Sequence, residues 1–246
     1  MYRTHNIGEN QLIAYKSNET SKTLPTIVFV HGLLSNMESS KAVFLHNWCE
    51  QNNLNFIRFD NLGSGNSSGD FVDQTMSSWL YATEEIIKNL CPYGAILVGS
   101  SKGGWVSLLA AIRNHMFVKG LVCIAAAPDF TEDIWETISP ADQKKMVAGK
   151  IVNFMSVPPY SYDIKYGLIE NAKQFLLLDQ ETLPISCKTR MIHGMQDEQV
   201  SYKKSITIAE KITSQDVLCT LIKTGVHNLS RSEDLEIITR SIIEVF

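Results

Sequence analysis

The stretch AILVGSSKGGWVSLLAA, residues 95–111, joins a short apolar run, a serine between glycines and a segment of helical period. Ala95–Val98 has the length and composition of a buried strand, and the residues from Gly104 onward continue as a helix. Ser101 therefore falls on the sharp turn between strand and helix, in the pattern Gly-x-Ser-x-Gly that exposes a serine hydroxyl. We predict that Ser101 is a nucleophile; the alternative is a serine that only shapes a tight turn.

The same pattern occurs a second time, as GNSSG at residues 65–69, in a different setting. The loop Asn61–Ser64 separates it from the preceding apolar run, and the following Asp70–Asp73 does not resemble the start of a helix. We therefore interpret Ser67 as a loop serine in a glycine-rich turn.

Short apolar runs alternate with segments of helical period, which indicates an α/β fold: a mostly parallel sheet with helices on both faces. The predicted strands are Thr26–Val30, Phe56–Phe59, Ala95–Val98, Gly120–Ile124, Arg190–Ile192 and Val217–Ile222. The predicted helices are Ser39–Gln51, Met76–Leu90, Gly103–Asn114, Tyr202–Ile212 and Asp234–Val245. Residues 130–184 have helical pattern without a good strand, so we predict one domain over residues 1–246 with a helical insertion at 130–184.

Composition narrows the class of protein. The chain has 246 residues, of which 44 % are hydrophobic, and a formal charge of −4, which excludes a disordered chain and disfavours a nucleic-acid binder. The longest charge-free apolar stretch, Gly120–Pro128, is far shorter than the roughly 20 residues that a membrane-spanning helix needs. We therefore expect a soluble globular protein without a membrane span.

The cysteines and the first residues indicate a cellular compartment. The five cysteines are widely spaced and form no Cys-x-x-Cys pair, so we interpret them as reduced thiols. The opening residues MYRTHNIGENQL lack a basic flank followed by an apolar run, so we expect no signal peptide. Both features favour a cytoplasmic protein.

A serine nucleophile needs a base to take its proton, and the base needs an acid to orient it. When the serine lies on a strand-to-helix turn, the acid and then the histidine follow it in the chain. His227 follows the last predicted strand through the loop Lys223–Val226, at the edge of the sheet where Ser101 lies. We predict His227 as the base, and we interpret His193, which precedes Gly194 at a strand end, as a turn residue.

The acid should lie between Ser101 and His227 in the chain. Asp197 follows the strand Arg190–Ile192 in a loop and satisfies this order, so we predict it as the acid. The alternatives are its neighbour Glu198 and Asp129, which lies just after the strand Gly120–Ile124.

Acyl transfer also needs two backbone N–H donors, the oxyanion hole, for the charge that develops on the substrate oxygen. We predict that they belong to Lys102, which follows the nucleophile, and to Leu33, in the loop after the strand Thr26–Val30. His31, in the same loop, is interpreted as a turn-packing residue. The sequence contains no metal-ligand spacing, P-loop or dinucleotide fingerprint, so we expect no cofactor.

Taken together, these motifs resemble the α/β-hydrolase superfamily over nearly the whole chain. They are His31-Gly32, Asp60-x-x-Gly63-x-Gly65-x-Ser67, Gly99-x-Ser101-x-Gly103-Gly104, His193-Gly194-x-x-Asp197 and His227. Shorter strings resemble the mitochondrial branch that contains palmitoyl-protein thioesterases and acyl-glucuronide esterases, and its bacterial relatives: Leu34-Ser35-Asn36-Met37 with Lys41, Ile57-Arg58-Phe59-Asp60 and His193-Gly194-Met195-x-Asp197.

The resemblance implies an α/β-hydrolase fold with a helical cap at Phe130–Pro184 and a triad of Ser101, Asp197 and His227. It also implies a serine hydrolase that cleaves the carboxylic esters or thioesters of small molecules or acyl-proteins without a cofactor. The alternatives are a peptidase or a C–C bond hydrolase on the same fold, and a non-catalytic protein that binds small molecules.

Two features bear on the substrate. The cap offers apolar and aromatic residues that either line an acyl pocket or pack the cap onto the core: Trp135, Met155 and Tyr160, with Met146, Phe154 and Tyr162 as further candidates. Lys102 occupies a position where the resembling branch usually carries an apolar residue. Its ammonium either reaches into water without a function or faces the acyl pocket and favours substrates with a carboxylate or phosphate near the scissile bond.

Overall fold

A computed structural model describes residues 1–8, 11–155 and 161–246. The strands are β1 (Arg3–Asn6), β2 (Leu12–Asn18), β3 (Thr26–Val30), β4 (Phe56–Phe59), β5 (Ala95–Ser100), β6 (Val118–Ile124), β7 (Val152–Met155), β8 (Ser161–Ile164), β9 (Lys188–Gly194) and β10 (Val217–Ile222). The α-helices are α1 (Ser40–Gln51), α2 (Met76–Leu90), α3 (Lys102–Arg113), α4 (Phe130–Thr137), α5 (Pro140–Val147), α6 (Tyr166–Ala172), α7 (Lys203–Lys211) and α8 (Ser232–Glu244). Two short 3₁₀ helices span Phe71–Asp73 and Lys173–Phe175.

Eight strands form one sheet in the order β1-β2-β4-β3-β5-β6-β9-β10. The strands from β4 to β10 pair in parallel, and β2 is antiparallel to both of its neighbours. The predicted mostly parallel sheet is thereby confirmed, and each of the six strands predicted from sequence is present within three residues of its expected ends.

The central strand β5 shows why the sheet is covered on both faces. Its side chains alternate, so Leu97 packs in one apolar core with Trp105 of α3, while Val98 packs in a second core with Leu45 of α1 and Ile238 of α8. Burial on both faces explains why β5 is a continuous apolar run rather than an alternating one.

The segment 130–184 differs from its prediction. It contains the expected helices, but Val152–Met155 and Ser161–Ile164 form an antiparallel pair, so the described part of this segment is mixed rather than purely helical. Val152 and Ile164 point inward while Asn153 and Asp163 are exposed, a two-residue alternation too short to register in the sequence. Ile164, which lies in the segment predicted to be helical, instead ends β8. The described part of 130–184 contributes no strand to the eight-stranded sheet.

Sequence reasoning also missed β1 and β2 at the edge of the sheet. β1 is short and polar, and β2 places two adjacent apolar residues, Ile13 and Ala14, in the interior instead of alternating. Neither pattern has the period of a half-buried strand.

All five cysteines are free thiols. Over the described ranges, no helix is both long and apolar enough to traverse a bilayer.

Candidate functional site

Ser101 lies between the last residue of β5 and the first residue of α3, with φ 56° and ψ −121°. A positive φ is unfavourable for a residue with a Cβ, and such strain persists only where the surroundings enforce it. The chains around the turn approach so closely that a Cβ on Gly103 would lie 2.0 Å from the carbonyl oxygen of Val30, and one on Gly99 would lie 2.4 Å from that of Gly103. The flanking glycines are therefore required by space.

The structure brings together the three side chains predicted to act with one another. The Ser101 hydroxyl donates to His227 Nε2 at 3.0 Å, and His227 Nδ1 donates to Asp197 Oδ2 at 2.7 Å. The three residues come from the loops that follow β5, β9 and β10, which open at the same edge of the sheet. A serine in this arrangement can pass its proton to the histidine while the carboxylate holds the imidazole in the required tautomer.

Asp197 is held as a carboxylate by its surroundings. Oδ1 accepts hydrogen bonds from the backbone N–H groups of Gln199 and Val200, both at 2.9 Å, and Oδ2 accepts from His227 and from His193 Nε2 at 3.0 Å. Burial acts to raise the pKa of Asp197, but the hydrogen bonds from His193 and His227 outweigh it and hold that pKa well below its usual range. The carboxylate is thus available as an acceptor at any physiological pH.

His193 was interpreted as a turn residue, and its contacts require a correction. Its ring is fully buried, and it donates from Nε2 to Asp197 and, at 3.1 Å, to the carbonyl oxygen of Val200. Its Nδ1 lies 2.7 Å from the hydroxyl of Ser205 on α7. His193 therefore connects the sheet and α7 to the predicted acid. The spacing of four residues to Asp197 was the one available signal.

The alternative acids lie elsewhere. The Asp129 carboxylate accepts hydrogen bonds from the backbone N–H groups of Leu177 and Leu178 at 2.8–3.1 Å, so it fixes the end of the 130–184 segment to the start of α4. Glu198 is exposed. In the described part of the chain, neither carboxylate hydrogen-bonds His227.

Ser67, in the second Gly-x-Ser-x-Gly pattern, has a structural environment. Its hydroxyl donates to the carbonyl oxygen of Asp60 at 2.6 Å and accepts from the backbone N–H of Ala14 at 2.8 Å. These bonds join the loop after β4 to β2, as expected for a loop serine.

The predicted oxyanion-hole donors flank Ser101. Lys102 is the first residue of α3, so its N–H makes no bond within the helix, and the N–H of Leu33 finds no acceptor among the described residues. The loop of Leu33 passes close to the serine, since a Cβ on Gly32 would lie 3.3 Å from Ser101 Cβ. Both N–H groups are therefore free to serve an oxyanion.

His31 anchors this loop and takes no part in the Ser101 cluster. It donates from Nδ1 to the carbonyl oxygen of Gly32 at 2.8 Å and accepts at Nε2 from the N–H of Asn61 at 3.0 Å. Burial, with a smaller effect from the charge of Lys102, lowers the pKa of His31 to about 3. The ring is thus neutral and packs the turn, as predicted.

A cleft of about 1210 Å³ opens over Ser101. Several of the proposed acyl-pocket residues line it, namely Met155, Phe154 and Tyr162, together with Phe130 and Ile134. The prediction for Trp135 is corrected: it is not among the described lining residues, and its ring packs 5.4 Å from that of Tyr166. Met146 is buried in the core. Tyr160 lies outside the described residues.

The Lys102 side chain does not reach into water, so the first of the two alternatives given for it is wrong. The residue is only 2 % exposed, and its Nζ lies 4.4 Å from the centre of the Trp79 ring, within cation–π range. Burial lowers the pKa of Lys102 to about 7.

Sequence reasoning assigned no role to Lys41. Its buried Nζ donates to the carbonyl oxygens of Asn228 and Leu229 and to the hydroxyl of Ser230, in the loop directly after His227. Lys41 shares the buried face of α1 with Ala42 and Leu45, and a lysine on an apolar helix face was the signal available in the sequence. In the described residues, no group of three or more His, Cys, Asp or Glu side chains is arranged to hold a metal ion.

Comparison with known proteins places this chain in a family. Residues 21–161 match the family model described as serine aminopeptidase, S33. The chain is 34 % identical over 242 residues to the mouse mitochondrial palmitoyl-protein thioesterase ABHD10, an alignment that covers 96 % of this chain and 80 % of that protein.

Solved structures agree with the sequence matches. The structure of mouse α/β-hydrolase domain-containing protein 10 superimposes with a TM-score of 0.89 at 32 % identity, covering 99 % of this chain and 97 % of that one. A putative hydrolase from Agrobacterium vitis superimposes with a TM-score of 0.91 at 28 % identity, covering 100 % and 97 %. The chain therefore belongs to the α/β-hydrolase family, in the branch that includes the ABHD10 proteins.

Proposed function

We propose that this chain is a serine hydrolase that cleaves carboxylic esters or thioesters through an acyl-enzyme formed on Ser101. The observation that carries the proposal is the pair of hydrogen bonds, 3.0 Å from Ser101 to His227 and 2.7 Å from His227 to Asp197, at the floor of an open cleft. The palmitoyl-protein thioesterase name of the 34 % identical mouse relative supports the same class of scissile bond.

In the proposed reaction, Ser101 Oγ attacks the carbonyl carbon as His227 Nε2 takes the hydroxyl proton. The N–H groups of Leu33 and Lys102 stabilise the oxyanion, and Asp197 stabilises the imidazolium. His227 then protonates the departing alcohol or thiol, leaving the acyl group on Ser101. A water molecule, deprotonated by His227, releases the acid and restores the serine.

The proposed partner is a small molecule or an acylated protein, and no cofactor enters the reaction. The cytoplasmic location stays a prediction: the free thiols fit a reducing compartment, whereas the mouse relative carries a mitochondrial name.

A second candidate is peptide hydrolysis, because the matching family model is described as serine aminopeptidase. The same acyl-enzyme would form, but the leaving nitrogen must be protonated more completely than an alcohol or thiol. Turnover of an ester together with the matching anilide, compared by kcat/KM, separates the two activities.

A fluorophosphonate probe, which reacts with an activated serine, tests the proposal directly. We expect labelling at Ser101, located by peptide mass spectrometry, and its loss in Ser101→Ala. Ser67→Ala is the matched control, because it removes the serine of the second Gly-x-Ser-x-Gly pattern. Absence of labelling at Ser101 would support the non-catalytic binding protein instead.

Substrate class is measured with p-nitrophenyl esters and acyl thioesters of graded length. We expect turnover of both, and a fall of kcat on the order of 10⁶ in Ser101→Ala, as in other serine hydrolases. Ser67→Ala should change kcat/KM by less than about tenfold, since a turn serine takes no part in acyl transfer. Equal losses in the two variants would contradict the assignment of the nucleophile.

A further inference from the structure

The cleft is lined by a buried lysine whose side chain takes no part in the proposed reaction. The backbone of Lys102 serves the oxyanion hole, but its ammonium lies against the face of Trp79, and the residue is 2 % exposed. Removing an ammonium group from water costs free energy unless a partner group in the protein compensates for the lost hydration. Lys102 is among the residues that line the cleft.

The described residues around the cleft do not supply a counter-charge to Lys102. Three carboxylates line the cleft: Asp133 pairs with Lys204, Asp197 is engaged by His193 and His227, and Glu198 is exposed. His31, the titratable neighbour of Lys102, is neutral. Among the described residues, the contact recorded for Lys102 Nζ is the one with the Trp79 ring. A cation in this state fits an anion that arrives with the substrate.

The topology indicates which part of the substrate meets this cation. The ammonium lies beside Trp79, whose indole N–H donates to the carbonyl oxygen of Leu62 in the loop after β4. Its charge also acts on His31, which follows β3, and helps to lower the pKa of that ring. In the sheet, β3 and β4 lie on one side of β5, and β10, which leads to His227, lies on the other. Because the leaving group must be within reach of His227 to be protonated, the acyl group extends toward Lys102.

The distance from Ser101 limits the length of that acyl group. Adjacent Cα atoms are about 3.8 Å apart, and a lysine side chain adds four methylenes, so Nζ lies within roughly 10 Å of the Ser101 Cα. We therefore expect a short acyl chain, of about two to four methylenes, to reach from the scissile carbonyl to the ammonium. Tyr162 and Phe154, whose rings are 5.6 Å apart, offer apolar surface along the cleft for such a chain.

We propose that Lys102 is a specificity-determining residue that binds a carboxylate at the far end of the substrate's acyl group, so that short dicarboxylic half-esters or half-thioesters are preferred. The proposal rests on the proposed function. An acyl pocket that is apolar throughout would select substrates by the length of the acyl group alone. In the proposed site, the charge at the far end of the acyl group also decides which substrates are used.

The test compares two substrates that differ only in the distal charge. One is mono-p-nitrophenyl glutarate, and the other is the same molecule with its free carboxylate capped as a methyl ester. The readout is the ratio of the two kcat/KM values, which cancels any change common to both. We expect Lys102→Met to lower this ratio by about 5–30-fold, the loss of a charge-assisted hydrogen bond.

Arg113→Met is the matched control. Arg113 is the cation at the other end of α3, exposed, with its guanidinium 5.2 Å from the centre of the Phe175 ring. We expect the substrate ratio of Arg113→Met to stay within about twofold of wild type, since no charge near the cleft changes. The same comparison can be made with mono-p-nitrophenyl esters of dicarboxylic acids of increasing length, from succinate to suberate. We expect Lys102→Met to lower the substrate ratio most for the shorter acids.

A second pair of substrates places the charge on the leaving group: 4-carboxyphenyl acetate and its methyl ester. If Lys102→Met lowers the ratio for this pair and not for the glutarate pair, the acyl-side assignment is overturned. An unchanged ratio for both pairs overturns the whole proposal. If wild type hydrolyses neither neutral ester and the probe does not label Ser101, the proposed function has failed, which is a separate result.

Discussion

His193 Nε2 lies 3.0 Å from Asp197 Oδ2, the same oxygen that accepts the 2.7 Å hydrogen bond from His227 Nδ1. The His193 ring is fixed in turn by Ser205 on α7, at 2.7 Å from Nδ1. A continuous series of hydrogen bonds thus runs from α7 to Ser101. Because every member is buried or nearly so, a shift of one ring displaces the next.

His193→Phe should lower kcat/KM about tenfold or more, because Asp197 loses a hydrogen bond that is worth roughly 1.5–3 kcal/mol when the acceptor is charged. His193→Gln should retain more activity, since its side-chain amide can donate to the same oxygen. Steady-state kinetics on one ester measures both. Equal losses in the two variants, with equal melting temperatures, would limit His193 to a packing role.

Asp197→Asn should lower kcat on the order of 10³–10⁴, because the amide neither fixes the imidazole tautomer nor stabilises the imidazolium. Asp129 is the control carboxylate, changed in Asp129→Asn; among the described residues its hydrogen bonds go to the backbone N–H groups of Leu177 and Leu178. This variant should lower the melting temperature, because it weakens hydrogen bonds that stabilise the fold. It should change kcat/KM by less than about tenfold, because those bonds take no part in the reaction. The reverse pattern would assign the acid to Asp129.

Lys41→Met should lower kcat about tenfold while the melting temperature falls only slightly. The ammonium holds the carbonyl oxygens of Asn228 and Leu229, and without it the loop after His227 is free to move the imidazole away from Ser101. Lys144→Met, an exposed lysine on α5, is the control and should behave as wild type. A full retention of kcat in Lys41→Met would show that the loop does not need this anchor.

The parts of the site that were predicted follow from local or ordered patterns. The position of Ser101 on its turn could be predicted because the strand, the turn and the helix around it are contiguous in sequence. The proximity of His227 and Asp197 to it could be predicted because the carboxyl ends of parallel strands meet at one edge of the sheet, which limits the choices to residues that follow β9 and β10.

The features that were missed depend on how loops and helices fold back onto one another, which local sequence pattern does not determine. His193 acts through the fold of the loop that returns Asp197 to it, and local pattern does not determine that loop. The burial of Lys102 depends on Trp79, which precedes it by 23 residues and lies on another helix. The β7-β8 pair was not predicted because its four-residue strands contain too few alternations of apolar and polar residues to be distinguished from a helix.

Lys102 links the cleft to the stability of the fold. Burial lowers its pKa to about 7 in the folded chain, whereas the pKa of a lysine in an unfolded chain is about 10.4. Between these values the unfolded state binds more protons than the folded state, so the free energy of unfolding rises with pH. Below about pH 7 the lysine is charged in both states, and the cost of burying the ammonium acts in full.

Lys102→Met keeps an unbranched side chain that is one atom shorter and removes its charge, so it should stabilise the fold. We expect its free energy of unfolding to exceed that of wild type at pH 6 by an amount on the order of a few kcal/mol, and the difference to shrink toward pH 10. Urea denaturation of both proteins at pH 6, 8 and 10 measures this. Arg113→Met, which removes an exposed charge from the same helix, should show no such trend with pH. A difference that stays constant over the range, or a less stable Lys102→Met at pH 6, would mean that the ammonium is already compensated in the folded chain and is not waiting for an anion.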